Sequence, residues 1–406
     1  MEEYKNYNFE AKDAKYHLTL RYNPLQTHLI PKISPSSFLP KHNSYSIEFI
    51  ENCIKKSIQQ KIGEYQNKKI MISLSSGVDS TLVFGIIKTN FPNLDIESIS
   101  IKFPESIDET TSAIKLSEKY NTSCKIFEIN HLFEELPKAI SILKQPFWDL
   151  HLYYVMKKIS QTSNILITGD GGDELFGGYT FRYEKFLSLI NEKSTIDEKI
   201  HAYMSCHERD NVPDQEDIFS NKMEFSWKIF YSLLRPFFNN DLSLIEQIFL
   251  ADYNGKLIFN FLPINHYLSN YFKINSFSPI LSSELIEYAL KIPINEKFDS
   301  KTNTGKIILR KLLEKYNLEK FVHSKKLGFS INTKNYWNSK AKNICKDFLL
   351  DSEISKNGWI SQSWIDKYID KENLDYRYVN KFFGLLAYEI WYRLFITKSL
   401  NPNSKL

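Results

Sequence analysis

Cysteine is scarce in this 406-residue sequence, at four residues. Cys53, Cys124, Cys206 and Cys345 stand far apart, with no C-x-x-C pair and no histidine at ligand spacing except the adjacent His207. That arrangement excludes a disulfide framework and a zinc module, leaving reduced thiols. Long apolar runs are also missing. The most membrane-like stretch, Phe382 to Ile396, carries Glu389 and Arg393 one turn apart and reads as a buried core helix. Residues Met1 to Tyr4 open without a charged-then-apolar leader, which together with reduced cysteines points to the cytoplasm. Neither charge sign dominates: 52 Lys and Arg face 48 Asp and Glu, and the net +4 is spread along the chain. Nucleic acid is therefore not an implied partner. With 13 Gly, 14 Pro and 42% hydrophobic residues, the composition is that of a chain that buries a sizeable core, as one large domain or two closely joined.

Three regions follow from the residue pattern. Residues 1–43 hold a strand-like stretch, Tyr16 to Tyr22, and then an irregular part marked by Pro24, Pro31, Pro35 and Pro40, and read as an extension or linker. Ile47, Ile50, Ile54, Ile58 and Ile62 recur at steps of three and four, which predicts one face of a helix capped by Ser44 or Ser46. From there to residue 180, short apolar runs alternate with helical periodicity. Strands are expected at Ile70 to Leu74, Ile96 to Phe103, Lys125 to Ile129 and Asn164 to Thr168. Helices are expected at Ser80 to Lys88, Ile107 to Tyr120, His131 to Leu143 and Leu150 to Ile159. Such alternation predicts an α/β fold with a doubly wound parallel sheet. Residues 181–406 turn to helical stretches rich in Phe, Tyr and Leu without clear strands.

Two loops carry chemistry. The first strand runs into Ser75-Ser76-Gly77-Val78-Asp79-Ser80 and a helix, so small polar residues meet a helix N-terminus at the carboxyl end of a strand. Backbone amides there can seat a phosphate, with Mg²⁺ bridging it to Asp79. A serine-capped helix with Gly77 turning the chain accounts for the same residues. The second loop, Gly169 to Tyr179, reads GDGGDELFGGY. Its five glycines disfavour helix and strand, and its three acids cannot be buried unpaired. It therefore faces either solvent or a cation and ligand.

The first loop resembles the S-G-G-x-D-S loop of the PP-loop ATP pyrophosphatases, with Ser76 at a usual glycine. The second resembles the G-E-G-x-D-E-L-F-G-G-Y signature of the asparagine synthetase family. Further matches are Lys306 to Arg310 (K-x-x-L-R), Ser324 to Phe329 (R-x-K-x-G-F) and the closing segment Gly384 to Arg393, so the resemblance runs from about Ser44 to Phe395. It implies a PP-loop fold with an ATP-binding part over 44–180 and a helical part over 181–406. Asp79 and Asp173 would be the Mg²⁺ ligands. Leu74, Ser75, Ser76, Gly77, Val78, Asp79, Ser80, Thr168 and Gly169 would bind ATP and its pyrophosphate, and Ile101 would lie at the strand end that meets adenine. Lys306 and Lys326, at the family's spacing, would be catalytic, Lys326 neutralising the leaving pyrophosphate. Asp170 stands where the family has Glu and would assist attack on the acyl-adenylate, one methylene shorter.

The resemblance also has gaps. An N-terminal catalytic cysteine and glutaminase domain are not seen ahead of residue 44, so a separate glutaminase subunit is a possible partner. The family's R-x-P-F-L-D reads Phe277 to Ser282 here, without its Arg and Asp. Its D-x-P reads Lys144-Gln145-Pro146, with Asp149 nearby. The implied function is an AMP-forming carbon–nitrogen ligase that adenylates a small carboxylate, aspartate by default, and transfers ammonia or an amine. Alternatives are a β-lactam synthetase-like or peptide-cyclising ligase, a PP-loop tRNA-modifying enzyme and a non-catalytic nucleotide-binding protein. The scattered cysteines disfavour the tRNA-modifying reading, and the survival of Asp79, Asp173 and Lys326 disfavours the non-catalytic one.

Overall fold

The computed structural model describes residues 8–41, 45–63, 69–103, 108, 110–207, 211–322 and 331–406. Strands β1 (Ile70–Ser73), β2 (Ile96–Lys102), β3 (Cys124–Glu128), β4 (Ile165–Ile167) and β5 (Asn275–Phe277) form one sheet in the order β3-β2-β1-β4-β5. Every pairing in it is parallel. Successive side chains alternate between its two faces, as strand geometry requires. Ile70, Ile72, Ile165 and Ile167 enter one hydrophobic core, while Met71 and Leu166 enter the other. Both faces are covered, so the central strands are apolar throughout.

Helices α1 (Ala14–Leu20), α2 (Ile47–Ile62), α3 (Val78–Asn90), α4 (Thr110–Lys119), α5 (Leu136–Leu143), α6 (His151–Ile159) and α7 (Gly172–Phe176) account for most of the expected alternation. Side chains of α2, α3 and α4 fill the first core, and those of α5, α6 and the long helix Tyr376–Phe395 fill the second. The chain thus winds outward from β1 to β3 across one face and returns to β4 across the other. The reversal opens a crevice at the carboxyl ends of β1 and β4, where ligands bind in sheets of this kind.

The isoleucine face of α2 forms as expected: Ile50, Ile54, Ile58 and Ile62 are buried. Ser46 is the cap, its hydroxyl accepting from the Phe49 amide at 3.1 Å. Ser44 and Ile107 lie outside the described residues. Between His131 and Leu143 the helix proper begins at Leu136, because Pro137 lacks an amide to give and fits only a first turn. The expected core helix at Phe382 to Ile396 is the end of helix Tyr376–Phe395. Its buried Glu389 accepts from the Glu353 amide (2.9 Å), the Ile354 amide (3.0 Å) and Arg393 Nε (2.6 Å). No described helix is long and apolar enough to cross a membrane.

Two expectations need correction. Tyr16 to Tyr22 is not a strand: it lies in α1 and the left-handed turn at Arg21, φ 66°. Packing decides this, since the Leu18 carbonyl, left without an intrahelical partner in the last turn, accepts from Lys381 Nζ and from Gln215 Nε2 at 3.2 Å. The region after Tyr179 also contains strands. β5 extends the main sheet, joined through the Asn275 amide to the Asn164 carbonyl at 2.7 Å. Phe298–Asp299 (β6) and Thr304–Gly305 (β7) make a short antiparallel hairpin.

Candidate active site

The serine loop lies between β1 and α3, at the crevice. Leu74 and Val78 are buried in the first core, so they offer the loop their backbone rather than their side chains. The serines bond inward: Ser75 Oγ and Ser80 Oγ are 3.1 Å apart, the Gly77 amide donates to Ser75 Oγ at 3.1 Å, and the Ser75 amide donates to Ser80 Oγ at 3.2 Å. These are hydroxyls and amides of the kind that a phosphate recruits at the head of a helix. Ser76 is not in the left-handed region and carries no strain for replacing glycine. Ile101 is buried on the neighbouring β2, in the second core.

The glycine loop leaves β4 at Thr168 and folds onto the serine loop. A Cβ on Gly169 would sit 2.9 Å from the Ser80 amide nitrogen, so the two loops touch through backbone. The single-turn helix α7 is bracketed by Gly171 at φ 89° and Gly177 at φ 78°, conformations that side chains disfavour. Gly172 and Gly178 serve a different need. A Cβ on Gly172 would overlap the Asp79 carboxylate, and one on Gly178 would overlap the Asp173 carboxylate and Lys306 Cε. The glycines thus make room for two acids. Glu174 and Tyr179 support the loop from behind: Glu174 is buried and takes the Tyr179 hydroxyl, and the Arg182 guanidinium lies 3.8 Å over the Tyr179 ring.

Lys306 joins the two acids. Its ammonium pairs with Asp79 Oδ2 and, at 2.6 Å, with Asp173 Oδ1. Burial works against its charge, but Asp173 and Asp79 outweigh burial and hold the ammonium above its ordinary range. The backbone of Lys306 is left-handed, φ 58°, a conformation costly for lysine. Its amide donates to the Phe176 carbonyl at 3.0 Å, which ties β7 to the end of α7. Arg310, in the same motif, donates from Nε to the Gly305 carbonyl at 3.1 Å and feels the charge of Asp79.

Two carboxylates converging at a phosphate-type loop are a hard oxygen donor set that fits Mg²⁺, with the remaining ligands left to phosphate and water. Among the described residues no group of three or more His, Cys, Asp or Glu forms a fuller metal site. Lys326, with Ser324 to Phe329, lies outside the described residues.

Asp170 stands apart from this cluster. Its Oδ2 accepts from Thr168 Oγ1 at 2.8 Å, and its carbonyl accepts from Ser278 Oγ at 2.7 Å. The Phe277 to Ser282 segment is therefore beside the loop, and the Phe277 carbonyl accepts from the Thr168 amide at 3.0 Å. Burial pushes the Asp170 carboxyl up, against the Thr168 hydroxyl and the charge of His151. His151 was not visible as a site residue in the sequence. It opens α6, its Nδ1 2.9 Å from Asp149 Oδ1, and Arg21 Nη2 lies 3.4 Å from the other oxygen of Asp149. The nearest sequence signal was Asp149, two positions earlier.

A doubly wound parallel α/β sheet is thereby defined, with loops and acids gathered at its switch point. Residues 65–393 match the asparagine synthase family, and the chain belongs to it. It is similar to asparagine synthetase [glutamine-hydrolyzing] 1 of Bacillus subtilis, with 26% identity over 372 residues. It is also similar to a putative asparagine synthetase [glutamine-hydrolyzing] 2 of Methanocaldococcus jannaschii, with 32% identity over 150 residues. These matches cover 81% and 33% of the chain, but 56% and 29% of the two relatives. Among solved structures, an NH3-dependent NAD synthetase from Campylobacter jejuni has 16% identity and a TM-score of 0.28, covering 52% of this chain and 95% of that one. A likeness this slight carries no argument about the reaction.

Proposed function

We propose that the chain cleaves ATP between its α and β phosphates to adenylate a carboxylate, and then transfers ammonia or an amine to the acyl carbon with release of AMP. The convergence of Lys306, Asp79 and Asp173 on the serine loop carries this reading. The loop amides and the hydroxyls of Ser75 and Ser80 would grip the pyrophosphate, and Thr168 and Gly169 would frame it from β4. Ile101 would meet the adenine. Asp79 and Asp173 would hold Mg²⁺, which when bound neutralises charge on the departing pyrophosphate. Lys306 adds a cation to the same place, and Lys326 joins it on the strength of the family motif.

Asp170, at the β4 end of the loop, would accept the proton that the incoming amine loses as the C–N bond forms. Aspartate with ammonia is the default substrate pair. An amine in a related adenylating ligation is the second reading, favoured by Phe277 and Ser282, which replace charged groups beside Asp170. A glutaminase subunit could supply ammonia in the cytoplasm.

Product analysis tests the proposal. AMP and pyrophosphate should appear when the purified protein meets Mg²⁺, ATP and the right acid, whereas ADP with inorganic phosphate would overturn it. Asp170→Asn should still exchange labelled pyrophosphate into ATP, yet form amide roughly a hundredfold more slowly.

A further inference from the structure

Two polar residues of the glycine loop have no part in the reaction as read so far. Glu174 and Tyr179 are both buried, and the Tyr179 hydroxyl donates to Glu174 Oε1. A buried acid must be bonded, and this bond ties α7 to the far end of the loop.

Helix α7 needs such a tie. It has one turn and few hydrogen bonds of its own: the Leu175 amide meets the Gly171 carbonyl at 3.0 Å, and the Gly177 and Gly178 amides meet the Asp173 carbonyl at 3.1 and 3.0 Å. A helix this short does not support itself. Leu175 and Phe176 bury apolar surface, which holds α7 down but, being non-directional, does not fix its rotation. Rotation matters because Asp173 and Glu174 are consecutive and point about 100° apart around the helix axis. Fixing Glu174 inward therefore fixes Asp173 toward Lys306.

Tyr179 can act as the anchor because the helical part of the chain immobilises it. The Arg182 guanidinium lies 3.8 Å and the Lys256 ammonium 4.5 Å from the centre of its ring. Arg182 follows within the first turn of helix Thr180–Leu189, its amide donating to the Tyr179 carbonyl at 2.9 Å. Its guanidinium is held in turn by both oxygens of Asp252, at 3.0 and 2.9 Å, and Asp252 Oδ1 also accepts from the Tyr203 hydroxyl at 2.8 Å. Asp252 ends helix Leu244–Asp252, and Lys256 stands one turn further on, in the π-helix Tyr253–Phe261 that continues it. Two cations at the ring and one acceptor at the hydroxyl fix both the plane of Tyr179 and the direction of its O–H bond.

We propose that Tyr179 is a positioning residue for Asp173: gripped on its ring by Arg182 and Lys256, it holds Glu174, and with it the rotation of α7 that turns the Asp173 carboxylate to Lys306. This placement needs neither metal nor nucleotide. Only its use in pyrophosphate release rests on the ligase reading above.

Thermal unfolding of the full chain in EDTA tests the placement without turnover. Tyr179→Phe keeps the ring and its two cations and removes only the hydroxyl. Lys306→Met should lower the melting temperature by about 4–6 °C in the wild type. In the Tyr179→Phe background the fall should be about half as large, because the ion pair that it breaks is already loosened. Glu174→Leu, which removes the acceptor instead, should reduce the response in the same way. Arg393→Met, which breaks the distant contact with Glu389, should cost the same in every background. An undiminished response to Lys306→Met in Tyr179→Phe or in Glu174→Leu, or an Arg393→Met response that shrinks alongside, would make Tyr179 a core residue only and overturn the proposal. In pyrophosphate exchange with ATP and aspartate, Tyr179→Phe should need roughly tenfold more free Mg²⁺ for its half-maximal rate, while KM for aspartate is unchanged. An unchanged Mg²⁺ requirement in an active Tyr179→Phe enzyme also overturns it. Absence of exchange in the wild type would count against the aspartate ligase reading instead, and the unfolding comparison would still decide on Tyr179.

Discussion

Replacing Lys306 by methionine, which keeps the length of the side chain and removes its charge, attacks the site at its most constrained point. Lys306→Met would leave Asp79 and Asp173 close together with no ammonium between them, in a setting where all three side chains are at most a fifth exposed. Breaking one partner out of a buried ion pair costs about 3–5 kcal/mol, because the remaining charge stays desolvated. In a chain of this length each kcal/mol moves the melting temperature by roughly 1.2 °C, so a fall of about 4–6 °C is expected. Because the folded-state ammonium binds its proton more tightly than ordinary lysine, its contribution is complete below the ordinary lysine value. It fades only as pH rises through the raised one. The gap between wild type and variant should therefore stay flat from pH 6 to pH 9. Mg²⁺ adds a second arm: if Asp79 and Asp173 hold it as proposed, it would compete with the ammonium in the wild type and meet no rival in Lys306→Met. Calorimetry with millimolar Mg²⁺ and with EDTA should show a larger Mg²⁺-induced rise in the variant. A variant that melts within about 1 °C of wild type in EDTA, or equal Mg²⁺ responses, would refute the reasoning.

Gly178→Ala should displace the Asp173 carboxylate and leave the fold intact, since what its methyl group meets first is a movable side-chain end; circular dichroism should be native while pyrophosphate release is largely lost. Lys297 is buried, its ammonium 5.4 Å from the Phe249 ring centre, and burial followed by repulsion from Lys41 pushes its pKa down to about 7 against the pull of Glu246. A lowered folded-state value means that wild type loses stability as pH falls from the unfolded lysine range toward 7, with the loss complete below it. Lys297→Met should thus stabilise by on the order of 2–4 kcal/mol at pH 6 and progressively less toward pH 10, as read from urea midpoints. Arg182 forms a buried two-bond pair with Asp252 at 3.0 and 2.9 Å. Arg182→Met should cost about 3–5 kcal/mol, and adding Asp252→Leu should recover part of it in a double-mutant cycle.

The sheet and the helices that cover it were readable because each element was long enough to show its period. Ile47 to Ile62 spans four turns, β1 and β4 carry apolar runs flanked by turn residues, and β2 sets its isoleucines among Glu and Ser. β5, β6 and β7 (NSF, FD and TG) carry no apolar run to mark them, and these strands are made by their neighbours. The alternation Tyr16, Leu18, Leu20, Tyr22 looked like a strand, yet helix packing against Gly384 and the buried lysine Lys381 decides otherwise. Site residues divide in the same way. Asp79, Asp173 and Lys306 announced themselves through motifs, and the structure brings them together. The Asp149–His151–Arg21 clamp could not be read, because its members come from α1 and from the head of α6, and only folding places Arg21 at Asp149.

The distance along the chain between the two acids and their cation has a consequence for synthesis. During translation Asp79 and Asp173 leave the ribosome well before Lys306, which reaches them only when the Lys306 amide bonds to the Phe176 carbonyl. Until then two like charges lack the cation between them, and their repulsion opposes closure of the loops. Closing the pocket is thus timed to the emergence of helix Ile307–Lys315. A nascent chain halted before that helix would carry the two acids without the cation that joins them.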